Sequence, residues 1–376
     1  MAGPSPDRVG GGGHLAALSA DVDAVAARLA AVPAPARRAQ AAVARRESAR
    51  LSARLDASTL TDATATEVDQ RLANGMAPVD GAADGVSPAA RLVAGWAQTL
   101  KVDTLATQEV AAVEYANLLA CFDAEPDLAG VLADRPRAVL AELHTLVCRG
   151  LVDGAVAGRP RRTEQAVHDG AQGRVLYRAA PPGRLDGLLD GLAAWLTGPA
   201  ETQPAVVVAG VVHGRILEWQ PFEAANGRVA RAASRLVLRA RGVDPEGLAV
   251  AERLAAADPL AYHREVAASI HRGDLGLWLE RAAESVLDAL VTAAEAVDPG
   301  GAPDPPVRAT AVADGLGPGA AITLADYAEA AAVPRATCRE DLRALVVAGW
   351  MAPEPGTHGL RYRRRGRVGR APGRQG

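Results

Sequence analysis

Asn226, Gly227, Arg228 and Arg231 are the residues of this chain whose types and spacing best suit chemistry. Backbone N–H groups at a helix start are unpaired and partly positive, so an anion is stabilised there. Gly227 admits close backbone approach, and Arg228 and Arg231, three residues apart, can reach one phosphate chain from one helical face. Arg235 and Arg239 continue the spacing, so the same residues also read as a basic stripe on a solvated face. Spacing alone leaves both readings open. Other chemistries have less support. The histidines His14, His144, His168, His213, His263, His271 and His358 show no His-x-x-x-His spacing, and no metal site is expected. Cys121, Cys148 and Cys338 are far apart and odd in number, which suits neither a disulfide framework nor a metal knuckle. No Gly-x-Ser-x-Gly, Walker or Rossmann string is present.

Two elements must hold this segment. Ala205 to Trp219 is apolar nearly all round, the mark of a helix buried in the middle of a domain. His213 on it reads as a satisfied core histidine. Pro221 biases Gln220 away from the helical region, so the helix ends there. A second helix opens near Ala225 and Asn226, with Val229, Ala232, Ala233, Leu236, Val237 and Ala240 at i, i+3, i+4, i+7 spacing. Upstream, residues 15 to 56 read as two amphipathic helices broken by Pro33 and Pro35. Further helices are expected between 67 and 148. Arg159 to Pro182, with the run Arg174 to Tyr177, reads as a hairpin or extended flap. Helices resume at Leu185 and continue to Val297.

The string Gln220-Pro-Phe-Glu-Ala-Ala-Asn-Gly-Arg-Val-Ala-Arg231 resembles the Fic family motif, His-Pro-Phe-x-(Asp/Glu)-Gly-Asn-Gly-Arg-x-x-Arg. Pro221, Phe222, Asn226, Gly227, Arg228 and Arg231 match. Ala209 to His213 looks like the family's central helix, and Gly158-Arg-Pro-Arg161 with Pro181-Pro182 looks like its target-binding flap. The resemblance spans roughly residues 40 to 250. It implies an all-α Fic/Fido core with a small β-hairpin flap, and AMP transfer from ATP to a target protein's hydroxyl, with Asn226, Gly227, Arg228 and Arg231 on the nucleotide. The departures fall on chemistry. The motif histidine, the general base, is Gln220, whose amide has no usable basicity; such catalysis is worth about 10²–10⁴-fold. The acidic residue that holds Mg²⁺ is Ala224, which offers no side-chain oxygen. The first motif glycine is Ala225, which crowds the cradle if its backbone is left-handed. Glu223 stands one residue early and serves only if the loop re-registers. ATP is therefore the implied nucleotide, while Mg²⁺ lacks its ligand.

Many Fic proteins also carry an inhibitory helix, Ser/Thr-x-x-x-Glu-Gly/Asn, whose glutamate pairs with the last motif arginine. Ser52-Ala-Arg-Leu-Asp56-Ala57 has that spacing. By resemblance Ser52 and Asp56 form this element against Arg231. By composition alone, an Asp in an Ala-rich helix is more often a surface residue, and Asp56 reads so.

Beyond a Pro/Gly-rich stretch at 298–319, read as a linker, Ile322 to Gly349 reads as helix, turn, helix and resembles a winged helix-turn-helix domain. Thr323 caps the first helix, Val333-Pro334-Arg335 turns, Thr337 to Ala348 is the recognition helix and Met351 to Tyr362 the wing. Arg335, Arg339 and Arg343 are its candidate DNA contacts. Glu340 and Asp341 on the same helix argue against that use. The expected organisation is a disordered leader 1–14, an N-terminal helical region 15–110, a Fic core 111–297, the linker, a winged helix 320–365 and an Arg-rich tail 366–376.

The chain has 376 residues, 49% hydrophobic and 23% charged, which excludes wholesale disorder. Its net charge of −3 gives no global pull on nucleic acid, and 3% aromatic residues are too few for base-stacking platforms. No apolar run reaches membrane length and no secretory signal opens the chain, so a cytoplasmic protein without membrane contact is expected. The expected partners are a target protein, DNA through the winged helix, and a second copy of the chain. Three functions stand open: a Fic protein that keeps part of an ATP-phosphate site but is catalytically impaired and works as a nucleotide-responsive module; a working protein adenylyltransferase using Glu223 or substrate assistance; and a DNA-binding regulator scaffolded by the Fic core.

Overall fold

The computed structural model describes residues 12–79, 90–92, 100–102, 107–168, 174–354 and 361–365. Helix α1 (Gly13–Ala31) buries Leu15, Leu18, Val22, Val25 and Leu29, one stripe at helical spacing, and stops before Pro33. Pro33 and Pro35 start α2 (Ala34–Leu55), because proline's fixed φ suits a first helical turn. Then come α3 (Asp62–Ala73), capped by Thr61, and the antiparallel pair β1 (Ala90–Leu92) and β2 (Leu100–Val102). Next are α4 (Thr107–Gly130) and α5 (Pro136–Val147). Strands β3 (Ala166–His168) and β4 (Val175–Arg178) pair antiparallel, at the place where a flap was expected.

Helices α6 (Leu185–Leu196), α7 (Ala205–Trp219) and α8 (Asn226–Ala240) follow, then α9 (Glu252–Ala257), α10 (Pro259–Arg272) and α11 (Gly276–Val297). Helix α7 is the axis of the molecule, with α8, α10 and α11 packed around it and α1 laid over α11. It comes close to α11 at two glycines. A Cβ on Gly214 would stand 2.7 Å from the Trp278 indole nitrogen, and one on Gly210 would stand 2.9 Å from a Leu279 methyl. The indole N–H donates to the Gly210 carbonyl at 2.8 Å. Helices α2, α4 and α5 lie against α8.

The chain ends in α12 (Val307–Gly315), β5 (Ala321–Thr323), α13 (Leu324–Ala331), α14 (Arg335–Val347), β6 (Met351–Glu354) and β7 (Arg361–Arg364), with the sheet in the antiparallel order β5-β7-β6. Thr323 and Asp326 form a reciprocal capping box on α13. Asp341 is fully buried, accepting from Tyr327 Oη at 3.1 Å and from Arg308 at 2.7 and 2.8 Å. This unit is fastened to the body. Arg343 donates to Asp21 of α1 at 2.6 and 3.1 Å, and Arg365 pairs with Asp288 and, at 2.8 Å, with Glu295, both on α11.

Several boundaries differ from expectation. Helix α1 begins at Gly13, inside the expected leader; residues 1–11 lie outside the described residues. The stretch 298–319 is not all linker, because Pro306 caps α12. Helix α14 starts at Arg335 rather than Thr337, with Pro334 as its N-cap. Residues 355–360 of the expected wing and the tail 366–376 lie outside the described residues. The β1–β2 pair adds strands where only helices were expected, so the β content exceeds a single flap.

Candidate functional site

The site is the turn between α7 and α8. Gln220 leaves α7 in the left-handed region (φ 45°), and Ala225 enters α8 there as well (φ 56°). Left-handed backbone at a non-glycine residue costs about 1–2 kcal/mol, so neighbours must hold it. Asn226 does so: its Oδ1 accepts the Phe222 N–H at 2.9 Å and its Nδ2 donates to the Phe222 carbonyl at 2.8 Å. The turn closes on itself and leaves the first N–H groups of α8 pointing outward.

What meets them is Asp56, at the C-terminus of α2 where Ala57 turns left-handed (φ 60°). One carboxylate oxygen accepts the Arg228 backbone N–H at 3.1 Å and lies 3.3 Å from Arg228 Nε. The other accepts from Arg231 Nη2 at 2.8 Å. Arg231 also donates to Ser52, through Nε to the hydroxyl at 2.8 Å and through Nη2 to the carbonyl at 2.7 Å. Gly227 lies directly beneath, and a Cβ on it would collide with Asp56 Oδ1. Asp56 thus bridges both motif arginines; the reading as a surface residue is set aside, since its side chain is only 14% exposed. Burial pushes its carboxyl up, yet Arg231 and Arg228 outweigh burial and hold it below the ordinary carboxylate value.

The solvated-stripe reading also fails. Arg228 is 1% exposed and pairs with Glu114 of α4 at 2.9 Å. Arg235 is buried between Glu125 at 3.0 Å and Glu252 at 2.6 Å, with its guanidinium 3.9 Å over the Phe122 ring. Arg239 is half-buried, 3.6 Å from Glu125. Desolvating four cations is affordable only with such partners. Sequence reasoning missed Glu114, whose signal is a lone acid in the apolar run Val110 to Leu119.

Gln220 is turned back into the fold, its Nε2 donating to the Leu217 carbonyl at 2.8 Å and lying 3.4 Å from Tyr177 Oη. Glu223 points to the flap, accepting from Thr163 Oγ1 at 3.3 Å. Gln165 of the flap donates to the Glu223 carbonyl at 3.0 Å. Ala224 is buried, and no group of three or more His, Cys, Asp or Glu residues able to hold a metal occurs among the described residues. The residues at the cradle therefore fit an anion and do not fit Mg²⁺.

Two further residues position the turn, in roles not read from sequence: Arg161, there only part of the flap string, and His144. Arg161, 3% exposed, donates to the carbonyls of Gln220 at 2.6 Å, Trp219 at 3.0 Å, Ala180 at 2.5 Å and Thr163, while its own N–H donates to Pro221 at 2.9 Å. A cation there neutralises the negative C-terminus of α7 and pins the flap to it. His144 stacks on Phe222 with ring centroids 4.3 Å apart and accepts the Gly158 N–H at 2.8 Å. Burial drives its pKa down to about 4, against an upward pull from the Ala224 carbonyl. His213 contacts Tyr262 Oη at 2.9 Å, and burial lowers its pKa to about 3, as a neutral core histidine. Arg335 and Arg339 lie apart from this site, on α14, and Arg343 is engaged by Asp21.

Residues 136–238 match the model of the Fic/DOC family. The chain is similar to the crystal structure of a Fic family protein from Desulfovibrio desulfuricans G20, with TM-score 0.56 and 20% identity over 96% of this chain and 98% of that one. It is also similar to a Fic domain containing signaling protein from Bacteroides thetaiotaomicron VPI-5482, with TM-score 0.49 and 16% identity over 76% of this chain and 97% of that one. Among curated proteins none matches the chain. The α7–α8 turn and the flap lie within the matched stretch, and the fold is one that Fic proteins share. No described helix is long and apolar enough to cross a membrane.

Proposed function

We propose that this chain is a Fic-type protein that keeps an anion cradle for the phosphates of ATP, blocks it with its own Asp56, and transfers AMP poorly or not at all. Its role is then that of a nucleotide-responsive regulatory module. One observation carries the reading: the Asp56 carboxylate lies on the Arg228 N–H, above Gly227 and between Arg228 and Arg231, an arrangement of donors at a helix start that suits a phosphate equally well. The missing base at Gln220 and the missing metal ligand at Ala224 support the catalytic half. Neither Glu223, bonded to the flap, nor His144, stacked in the core, is placed to receive a proton over the cradle.

Calorimetric titration of ATP, with and without Mg²⁺, tests it. Asp56→Ala is expected to bind ATP at least about tenfold more tightly than wild type, because it frees the Arg228 N–H and the sides of Arg228 and Arg231 that Asp56 engages for charge-assisted bonds. Arg228→Ala should abolish that binding, and added Mg²⁺ should change little. Asp56→Ala should label neither itself nor added protein with AMP. If Asp56→Ala binds no more tightly than wild type, Asp56 does not block the cradle. If it binds and transfers AMP, the protein is a restrained enzyme, and Glu223→Gln then tells whether Glu223 is its base.

A further inference from the structure

Away from the cradle, a cleft of about 760 Å³ separates the C-terminal unit from the body. One wall is α14 and β7, carrying Arg335, Arg339 and Arg361; the other is α10 and α11, carrying Arg272 and Leu277. All four of these arginines are exposed; among the described residues Arg335, Arg339 and Arg272 form no ion pair with a carboxylate, and Arg361 only feels Asp326 of α13 electrostatically. Arg272 makes only a 3.5 Å contact to Ser269 Oγ. Every arginine of the cradle, by contrast, is neutralised. Leu277 is 58% exposed beside them, an apolar anchor on a charged wall. Four exposed cations, three of them without an ion-pair partner among the described residues, repel one another across a concavity, and an anionic occupant removes that repulsion.

We infer that this cleft docks an acidic, leucine-bearing segment of a partner protein, with Arg335, Arg339, Arg361 and Arg272 taking its carboxylates and Leu277 its apolar face. Nucleic acid fits worse, for three reasons. A helix that reads duplex DNA must protrude into the major groove, whereas the arginine-bearing side of α14 faces a concavity walled by α10 and α11. A single strand needs exposed rings to stack on, and the aromatic residues here, Trp278 and Tyr362, are 4% and 7% exposed. Glu280 on the far wall forms no ion pair among the described residues, and Glu265 and Glu284 line the same cleft, tied to Arg281 at 3.2 Å each. Those carboxylates repel a continuous phosphate chain, while a peptide of mixed charge and apolar content can avoid them.

Fluorescence anisotropy with the full chain tests this, using a labelled amphipathic peptide of Glu and Leu, its Lys and Leu analogue, a labelled single-stranded oligonucleotide and a labelled duplex. The acidic peptide should bind and the basic one should not. Arg335→Glu with Arg339→Glu should weaken the acidic peptide about a hundredfold, since like charges are placed against it. Leu277→Asp and, from the opposite wall to α14, Arg272→Glu should each weaken it about tenfold. All four substitutions, in three variants, are at exposed side chains, and unchanged melting temperatures establish that folding is intact. The proposal is overturned if the acidic peptide does not bind, if its binding ignores these substitutions, or if either oligonucleotide binds more tightly and is lost with the same arginines.

Discussion

His144 shows how one residue's surroundings become a property of the protein. It is fully buried against Phe222, with a pKa near 4, whereas an unfolded chain leaves histidine near 6.5. Between those values the unfolded state binds a proton that the folded state refuses. Stability therefore falls as pH drops from about 6.5 towards 4, by about 1.4 kcal/mol per unit. His213, lowered to about 3, adds a similar slope over the same window. Asp56 acts with the opposite chemistry and the same direction: its depressed carboxyl contributes fully above about 4 and loses that contribution only at lower pH. His144→Gln is expected to reduce the slope of unfolding free energy between pH 6.5 and 5 by about 1.4 kcal/mol per unit, measured by urea denaturation at a series of pH values. A slope equal to wild type would remove His144 from the account.

At the scale of elements, the contact of α7 with α11 is set by two missing side chains. Gly214→Ala puts a methyl 2.7 Å from a ring that is itself bonded to Gly210, so backbone must move. A loss of about 1–3 kcal/mol is expected. Gly187→Ala on α6, where a Cβ meets nothing within 4 Å, should instead stabilise by about 0.5–1 kcal/mol. Thermal melting of the two variants distinguishes packing from propensity, and a similar effect of both would refute the close-approach argument. The sequence made α7 and α8 legible because Pro221 and Asn226 mark the turn and a local period marks each helix. It made α12 illegible because Pro305 and Pro306 read as breakers, although proline is also how helices begin. The β1–β2 pair was missed because three-residue strands carry too little alternation to register. At the site, the local motif was legible. Arg161 and Glu114 were not, because nothing within their own segments says which distant carbonyl or guanidinium they meet.

At the scale of the whole molecule, α11 is the common support: it packs against α7 and also carries α1 and the C-terminal unit. Arg365 holds the C-terminal unit there through Asp288, whose side chain is 13% exposed and whose carboxyl is pushed up by burial against the pull of Arg365. Arg365→Ala should cost about 3 kcal/mol by leaving Asp288 without its partner, and Asp288→Ala added to it should recover part of that loss. Limited proteolysis within residues 298–306 should speed up in the single variant. Unchanged cleavage would mean that Arg343–Asp21 and the apolar contacts alone hold the unit down. The same long-range pairing explains why the layout of the termini could not be read along the chain: α1 and α11 are each amphipathic, but neither names its partner.

The seating of α1 on α11 also fixes an order of events during synthesis. Roughly 245 residues separate the end of α1 at Ala31 from the start of α11 at Gly276. At about 5–20 residues per second, a ribosome needs roughly ten to fifty seconds to cross that interval. For all of it, the stripe from Leu15 to Leu29 has no α11 to cover it. Between the synthesis of α1 and that of α11 the nascent chain thus carries an apolar stripe without its native cover, a surface for which chaperones compete until α11 is made.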